Sequence, residues 1–402
     1  MRIVHTSDWH LGRALHQESL AGAHAAYVDF LVRLVREESV GAVLVSGDVY
    51  DRALPAPDTV ALLGEALVRL VDAGASVVLT SGNHDSAVRL AFASDLLARA
   101  GVHVRTTAAG VGTPVLLDGV AVYPLPYLEP AVAGAAIGAA ERSHASVLRA
   151  AMGRVRADAA SRGMPVIAMA HAFVAGAVGT ESERDIAVGG VNVVPADVFA
   201  GVSFAALGHL HRPQEVRPGV SYSGSPVAFS FGEADHVKSV SLLDLGTGGT
   251  GDAVAVTRIP TPVIRPLAVV RGDLDDVLAD GCWAAAERAW CQVLLTDPVR
   301  PLGAFERLRR RFPHLLSVEF HPRGGGQLAL SRYAGRVRPG RSEIEVCDDF
   351  LAHVRGGAAA DESERRLLGE AFESVRLQRA ELGGEGGRED VLAAEHATQG
   401  VA

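Results

Sequence analysis

Short apolar runs recur along the first half of the chain, and each run is followed at once by polar residues. Runs of this length predict buried β-strands of a mainly parallel sheet. The runs are Arg2–His5, Ala42–Val45, Val77–Leu79, Val166–Met169 and Phe204–Leu207. Between the first three runs, residues 27–35 and 62–70 carry their apolar residues at helical spacing. This alternation of strands and helices predicts an α/β fold.

The polar residues that follow these strands are oxygen and imidazole donors. The intervals from Asp8 to Asp48 and from Asp48 to Asn83 each fit one strand–helix–strand unit. In open α/β sheets, residues just beyond the carboxyl ends of neighbouring strands gather in one crevice. We therefore expect a single site built from seven side chains, here called the strand-end donors: Asp8, His10, Asp48, Asn83, His171, His209 and His211.

The pattern changes after the last of these donors. Two strand patterns, Ser239–Leu245 and Ala253–Ile259, flank a glycine-rich turn. Residues 267–320 then follow the order β-α-β-α-β, which predicts a small α+β domain. From about residue 344 the chain is helical and charged, and past residue 383 its Gly- and Glu-rich composition predicts disorder. We predict four regions, at residues 1–262, 263–340, 341–382 and 383–402.

The composition argues against several classes of protein. The 402 residues carry a net charge of −9, which disfavours a polybasic nucleic-acid coat or membrane binder. A nuclease stays compatible with this charge, because bound metal ions can reverse its sign inside one cleft. The three cysteines lack CxxC spacing, and no segment predicts a signal peptide or membrane span, so we expect a soluble cytoplasmic protein. Lys238, the sole lysine, is not part of a GxxxxGKS/T phosphate loop, so ATP is not expected to bind through that motif.

The chemistry of the strand-end donors suits two divalent metal ions. About seven oxygen and imidazole ligands with one shared carboxylate fit Mn²⁺, Mg²⁺, Fe or Zn²⁺, and no cysteine lies near to favour a thiolate zinc site. Two divalent ions and two aspartates leave a net positive site that can hold a phosphate ester. His84 directly follows Asn83 and points elsewhere, so it can protonate a leaving oxygen or stabilise the phosphoryl charge.

Each motif also has a purely structural interpretation. An aspartate that follows a strand is commonly a turn or helix-capping residue, and a buried histidine is commonly part of the core. The motifs DxH, GD, GNHD, a lone His and GHxH nevertheless occur together, in an order and at spacings that favour one metal site.

This motif series resembles that of the calcineurin-like metallophosphoesterase superfamily. The residues around each motif are similar to those of the SbcD family of nuclease subunits. The similar segments are HTSDWHLG at 5–12, SGDVYD at 46–51, SGNHD at 81–85, ESERD…VGG at 181–190, ALGHLHRPQ at 206–214 and YSGSPVAFSFGE at 222–233. The resemblance implies a four-layer αββα sandwich at residues 1–262. It further implies a capping domain, a candidate for DNA binding, at 263–340, and C-terminal helices at 341–382 that dock the coiled coil of an SbcC-type ATPase. Residues 131–160 match no feature of the family.

The resemblance also implies residue roles. The first ion would be held by Asp8, His10, Asp48 and His211. The second ion would be held by Asp48, Asn83, His171 and His209. Asp48 would bridge the two ions, and His84 would be the catalytic histidine, oriented by Asp85. Mn²⁺ is the expected ion, with Mg²⁺ as the alternative.

The function expected from this resemblance is that of a metal-dependent DNA exonuclease and endonuclease. It would hydrolyse phosphodiester bonds at DNA ends and hairpins, in the cytoplasm at the nucleoid, during DNA repair, recombination and replication. The protein would form a homodimer within a heterotetramer with the ATPase. One alternative is a stand-alone metallophosphoesterase acting on small phosphodiesters or phosphoproteins, because the same ligands serve both chemistries. Another is a non-catalytic scaffold at DNA ends, which the complete ligand set disfavours.

Two further groups of residues are candidates for macromolecular contacts. Arg307, Arg309, Arg310 and Arg311 form the densest basic cluster, which fits either a DNA-backbone contact or a solvated helix face. Leu368, Phe372 and Val375 form an apolar stripe at helical spacing, which fits either partner docking or packing within its own domain.

Overall fold

The structure is a computed structural model, which describes residues 1–183, 193–246, 254–323, 343–354 and 360–372. The chain divides into two compact units. One contains Met1–Leu295 and Leu302–Glu319, and the other contains Thr296–Pro301 and Phe320–Ala402. The predicted tail at 383–402 and most of the ESERD…VGG segment lie outside the described residues.

The first unit contains two six-stranded sheets. The strands of the first sheet are β1 (Arg2–Thr6), β4 (Ala42–Ser46), β5 (Ser76–Thr80), β6 (Val102–Arg105), β13 (Ser239–Asp244) and β14 (Ala255–Pro260). Their order is β14-β13-β1-β4-β5-β6, in which β1, β4, β5 and β6 run parallel and β13 and β14 add antiparallel strands. The strands predicted at residues 2–5, 42–45 and 77–79 are thereby confirmed.

The strands of the second sheet are β7 (Val115–Leu117), β8 (Val120–Pro124), β9 (Val166–His171), β10 (Phe204–Gly208), β11 (Gln214–Arg217) and β12 (Val220–Tyr222). Their order is β11-β12-β10-β9-β8-β7, with parallel strands in the centre and an antiparallel strand at each edge. Two short strands, β2 (Ala14–Leu15) and β3 (Glu18–Ser19), form a separate hairpin.

Helices cover the outer face of each sheet. Those of the first sheet are α1 (Ala21–Glu37), α2 (Pro57–Asp72), α3 (Ala87–Leu90) and α4 (Ser94–Ala98). Those of the second sheet are α5 (Pro130–Ile137) and α6 (His144–Ala159). These last two helices are formed by the segment at residues 131–160, for which the sequence offered no match.

Three apolar clusters define the layers. Alternate residues of β4 separate cleanly: Val43 and Val45 pack with α1 and α2, whereas Ala42 and Leu44 pack with residues of the second sheet, among them Ile167. The other face of β9, which includes Ala168, packs with α5 and α6. Because successive side chains of a strand point to opposite faces, this segregation is that of two sheets packed face to face between helices. The predicted four-layer αββα sandwich is confirmed.

A three-stranded sheet follows in the chain. Its elements are β15 (Leu267–Gly272), α7 (Leu274–Ala279), β16 (Trp290–Leu295), α8 (Ala304–Arg311) and β17 (Leu315–Phe320). The strands lie in the order β15-β16-β17. The predicted β-α-β-α-β order is therefore confirmed. The division of the chain at residues 262 and 340 stays a prediction.

Near the C-terminus, the structure describes α9 (Glu343–Val354) and a helical segment at residues 362–372. Within the described ranges, no helix combines the length and apolar character needed to cross a bilayer.

Candidate metal centre

The strand-end donors follow five strands, which belong to both large sheets. Asp8 and His10 follow β1, Asp48 follows β4 and Asn83 follows β5, all in the first sheet. From the second sheet, His171 is the last residue of β9, and His209 and His211 follow β10. Because the two sheets pack face to face, the ends of these strands meet at one edge of the sandwich, as the sequence predicted.

The turns at this edge use unusual backbone geometry. Four of the donors have positive φ angles, namely Asp8 at 53°, His10 at 44°, Asp48 at 49° and His209 at 105°. Such conformations are uncommon for residues with a side chain and persist only where the surrounding structure enforces them. A Cβ atom at Gly82 would lie 2.1 Å from the Asp48 Oδ1 atom, and one at Gly208 would lie 1.8 Å from the Ser46 carbonyl oxygen. The close approach of the turns therefore requires glycine at both positions.

Asp48 lies at the centre of the site. Its Oδ2 atom is 3.5 Å from the Nε2 atoms of both His10 and His171, and 4.0 Å from that of His84. Its Oδ1 atom accepts a hydrogen bond of 2.9 Å from the backbone N–H of His84. The residue is 1% exposed. One buried carboxylate oxygen thus faces imidazoles from both sheets.

The donors fit divalent cations in charge as well as in position. Three groups bring their ligand atoms within 4.8 Å of one another: Asp8 with His10 and His211, His10 with Asp48 and His84, and Asp8 with Asp48 and His171. The Nε2 atoms of His10 and His211 are only 3.2 Å apart. Burial lowers the pKa of His10 to about 3 and that of His211 to about 4, so both are neutral and can act as ligands.

The two aspartates support the same interpretation. Burial raises the pKa of Asp8 to about 8, since a carboxylate charge in this interior lacks solvent. Burial alone would lower the pKa of His171, but the charge of Asp48 raises it to about 9. A cation bound between these groups would take the place of that proton and stabilise both carboxylates. The chain therefore contains a divalent-metal site.

Asn83, from the first sheet, and His209, from the second sheet, complete the set around His171. The Asn83 Oδ1 atom lies 2.9 Å from the His171 Nε2 atom, and the His171 Nδ1 atom lies 3.0 Å from the Ser46 carbonyl oxygen. The His209 ring packs against the His171 ring with centroids 5.3 Å apart. Its backbone N–H donates to both carboxylate oxygens of Asp8, at 2.9 and 3.1 Å. The structure thus brings all seven strand-end donors to one place.

The described contacts of His84 and Asp85 include backbone groups of neighbouring turns. Its Nδ1 atom lies 2.8 Å from the Asp51 carbonyl oxygen. The Asp85 carboxylate instead accepts hydrogen bonds from the backbone N–H groups of Val49, Tyr50 and Gly82. Asp85 therefore fixes the backbone around Val49, Tyr50 and Gly82, and its expected role in orienting His84 stays a prediction. Aspartate close to a turn glycine is a common source of such backbone hydrogen bonds, a signal that the sequence does contain.

Three residues behind His211 were missed by the sequence reasoning. The Ser182 Oγ atom lies 2.5 Å from the His211 Nδ1 atom and donates a 2.5 Å hydrogen bond to the Glu233 Oε1 atom. Lys238 donates to the other oxygen of Glu233. Burial alone would raise the pKa of Glu233, but its contacts with His211 and Lys238 hold that pKa well below its usual value. The sequence signal that could have pointed to these residues was Lys238, the sole lysine in a chain whose other basic side chains are mostly arginines.

Three of the four clustered arginines on α8 contact residues of the three-stranded-sheet domain itself. Arg307 donates to Asp275 at 2.6 Å, and Arg311 contacts Glu287 at 3.0 Å while also donating to two backbone carbonyls. The Arg309 guanidinium lies 6.0 Å from the centroid of a phenylalanine ring on the same helix. Two of the four arginines thus have acidic partners within the three-stranded-sheet domain, which weakens the case for DNA binding by the whole cluster.

The predicted docking stripe is only partly described. Leu368 and Phe372 lie in the helical segment at residues 362–372 and are half-buried, whereas Val375 lies outside the described residues. Leu367, beside them, is 60% exposed. The role of the stripe stays a prediction.

Comparisons with known proteins agree with this geometry. The family model described as calcineurin-like phosphoesterase matches residues 1–131. A second model, named SbcD_C and described as the Type 5 capsule protein repressor C-terminal domain, matches residues 263–355. Among solved structures, that of TT1561 of Thermus thermophilus aligns with 64% of this chain and 98% of its own, at 14% identity and a TM-score of 0.37, too low to support an inference.

Curated relatives are more similar. The SbcD component of the SbcCD nuclease of Rhodobacter capsulatus is 38% identical over 305 residues, which cover 69% of this chain and 75% of the relative. The protein of the same name from Escherichia coli K12 is 33% identical over 299 residues, which cover 69% of this chain and 73% of the relative. The chain therefore belongs to the SbcD family of metal-dependent nuclease subunits within the calcineurin-like phosphoesterases.

Proposed function

We propose that this chain hydrolyses DNA phosphodiester bonds, at ends and at hairpins, with two Mn²⁺ ions held by the strand-end donors. The observation that supports this most directly is the convergence of buried imidazoles from both sheets on one oxygen of Asp48. We infer the DNA substrate and the SbcC-type partner from the relatives, whose names describe a component of the SbcCD nuclease. We place the reaction in the cytoplasm, on chromosomal DNA, for the same reason.

The proposed assignment gives each ion four ligands. The first ion would be held by Asp8, His10, Asp48 and His211. The second would be held by Asp48, Asn83, His171 and His209. Two ions at such a site supply charge neutralisation for the phosphodiester and a nucleophilic water at neutral pH. Mn²⁺ is proposed because the resemblance to the SbcD family implies it, with Mg²⁺ as the alternative, and the mixed oxygen and imidazole ligands are compatible with Mn²⁺.

The chain's own residues position the reacting groups. His84 has its Nδ1 atom fixed by the Asp51 carbonyl at 2.8 Å, which leaves its Nε2 atom directed towards the centre, 4.0 Å from Asp48. A histidine held in this way can donate a proton to the leaving oxygen or stabilise charge on the phosphoryl group. The buried Phe229 ring packs edge-on against the rings of His10 and His211, with centroids 5.2 Å apart in each case, and shields these imidazoles from water.

The first experiment is a cleavage assay with the full chain. End-labelled duplex, single-stranded and hairpin DNA would be incubated with Mn²⁺, with Mg²⁺ and after removal of metal by EDTA. We expect cleavage that is greatest in Mn²⁺, absent in EDTA and restored when Mn²⁺ is added back. Bis-p-nitrophenyl phosphate in the same buffers measures the basal phosphodiesterase reaction.

Two outcomes would change the conclusion. Turnover of the small phosphodiester without DNA cleavage, both alone and with an SbcC-type ATPase, would favour the stand-alone phosphoesterase. DNA cleavage that is unaffected by EDTA would contradict the metal site.

We also propose that the chain forms a homodimer that assembles with two copies of the ATPase. An apolar patch of Val88, Phe92 and Leu96 on and between α3 and α4 supports the first step, because these side chains are 84%, 83% and 65% exposed. A second copy of the chain, related by a two-fold axis, would cover this patch with the same residues.

Light scattering during gel filtration tests this assembly. We expect a mass of twice the 41.9 kDa chain, and a larger particle when the ATPase is added. Phe92→Asp should give a monomer, since a charge would be buried without a partner. Val132→Asp, at an 80% exposed site on α5, is the matched control and should stay dimeric. A wild-type chain that is monomeric at all concentrations would rule the homodimer out.

A further inference from the structure

Both ring nitrogens of His211, and its backbone carbonyl, have buried neighbours. On its inner side, its Nε2 atom lies 3.2 Å from that of His10. On its outer side, its Nδ1 atom meets the Ser182 Oγ atom at 2.5 Å. Its backbone carbonyl accepts a 2.9 Å hydrogen bond from Lys238. Rotation of the imidazole would therefore break its contact with Ser182, and a shift of the His211 backbone would break the hydrogen bond from Lys238.

The direction of the hydrogen bonds follows from the charges. Lys238 donates to Glu233, which is 1% exposed and is ionised by this pairing. An ionised carboxylate only accepts, so Ser182 donates its hydroxyl hydrogen to Glu233. The Ser182 oxygen then accepts from the His211 Nδ1–H group, which leaves the His211 Nε2 atom without a proton.

A competing partner of Ser182 does not change this direction. The Thr180 hydroxyl lies 2.9 Å from the Ser182 Oγ atom, but it donates its own hydrogen to the Glu183 carboxylate at 2.8 Å. Thr180 can therefore only accept from Ser182. The ionised carboxylate of Glu233, at 2.5 Å, is the stronger acceptor of the two.

The burial of Lys238 and Glu233 calls for an explanation beyond stability. A buried ion pair is costly to desolvate and can often be replaced by apolar residues without loss of stability. Lys238 is 5% exposed and has its three hydrogens satisfied by Glu233, the His211 carbonyl and the Ser225 hydroxyl. Both members of the pair thus reach His211, one through its backbone and one through Ser182.

We propose that Ser182, Glu233 and Lys238, the buried triad, are positioning residues of the metal centre that hold His211 as the Nδ1-protonated tautomer with its Nε2 lone pair directed at the ion. This inference rests on the proposed role of His211 as a ligand. Hydrogen bonds to the outer nitrogen of a metal-binding histidine fix its tautomer and ring orientation, and their loss weakens metal binding by about 10–100-fold.

Two substitutions test the triad at different points. Ser182→Ala removes the acceptor of the His211 Nδ1–H group. Glu233→Gln keeps the shape, but its amide oxygen is retained by Lys238, so its NH₂ group faces Ser182. Ser182 then loses its anionic acceptor and shares its hydrogen between Thr180 and the His211 Nδ1 atom, so the Nδ1-protonated tautomer is no longer enforced and a share of His211 carries its hydrogen on Nε2. Both variants should bind Mn²⁺ about 10–100-fold more weakly in calorimetric titrations.

The matched control is Ser230→Ala. Ser230 donates to the same Glu233 oxygen at 3.2 Å but has no hydrogen bond to His211, so its loss should leave Mn²⁺ affinity unchanged. Nitrogen-15 spectra of the metal-free chain give a second readout, because they report which ring nitrogen of His211 carries the hydrogen. We expect Nδ1–H in the wild type and an increased share of Nε2–H in Glu233→Gln. Saturating Mn²⁺ should restore the cleavage rate of Ser182→Ala.

The outcomes separate the possible failures. If the wild type binds two ions and Ser182→Ala and Glu233→Gln bind them equally well, the triad does not position His211. The same conclusion follows if both variants lower the melting temperature in EDTA while the tautomer and the Mn²⁺ affinity stay unchanged. A wild type that binds no Mn²⁺ would instead overturn the proposed function.

Discussion

Asp48→Asn should lose both ions and cleave DNA at least about 10³-fold more slowly than the wild type. The amide is nearly the same size as the carboxylate, and asparagine tolerates the positive φ of 49° at this position. Its oxygen can still accept the 2.9 Å hydrogen bond from the His84 backbone. What changes is the charge: the oxygen that faces His10 and His171 no longer carries the negative charge that two ions would share. Metal content after gel filtration and the cleavage rate are the measurements.

The control for this substitution is Asp158→Asn on α6. Asp158 also accepts hydrogen bonds, from Tyr123 at 2.6 Å and from Arg162, but it lies on the outer face of the second sheet. Its variant should keep both ions and full activity. Two ions per chain in Asp48→Asn would contradict the bridging role, and one retained ion would assign Asp48 to a single ion.

His84→Asn should lower the cleavage rate by about 10²–10⁴-fold while the chain keeps two ions. The asparagine amide takes the place of the imidazole Nδ1–H group and keeps the hydrogen bond to the Asp51 carbonyl. It removes the Nε2 atom, which is the part that we assign to the leaving oxygen. Metal content, Mn²⁺ affinity and single-turnover cleavage together separate a loss of chemistry from a loss of metal.

The position of His84 allows this variant to distinguish a catalytic role from a role as a metal ligand. His84 belongs to a group with His10 and Asp48 whose ligand atoms lie within 4.8 Å of one another, so it is close enough to act as a ligand. A chain that loses an ion with His84→Asn would show that His84 is a ligand. His16→Asn is the control, because His16 is exposed and asparagine tolerates its positive φ angle of 55°.

The sequence predicted the elements of the fold wherever apolar and polar residues follow a simple pattern. The strands β1, β4, β5, β9 and β10 are short apolar runs bounded by polar residues, and such runs leave little choice of structure. The strand-end donors were predictable for the same reason, because the end of a parallel strand fixes where the next side chains lie. The segment at residues 131–160 gave no such signal, since alanine-rich helices show little contrast between their faces, and its two helices became evident only from their packing on the second sheet.

Contacts that join distant parts of the chain were not predictable. Asp85 was expected to orient its neighbour His84, and the sequence did not indicate that its carboxylate also binds the backbone N–H of Val49, 36 positions away. Similarly, the arginines of α8 were interpreted from their spacing on one helix, whereas the acidic partners of two of them lie on other elements. The buried triad carries no motif that points to His211. Its relation to that histidine depends on tertiary packing alone.

The division of the donors between the two sheets has a consequence for the order of events during synthesis. Residues up to Asn83 provide the half of the site that lies on the first sheet, but the other half ends at His211. A nascent chain that has completed only the first half therefore exposes an incomplete set of ligands with weak affinity for ions. Because metal binding and folding are coupled, ions that enter later favour the docked arrangement of the two sheets. Nuclease activity should thus emerge only once the chain extends through His211 and the two sheets have docked.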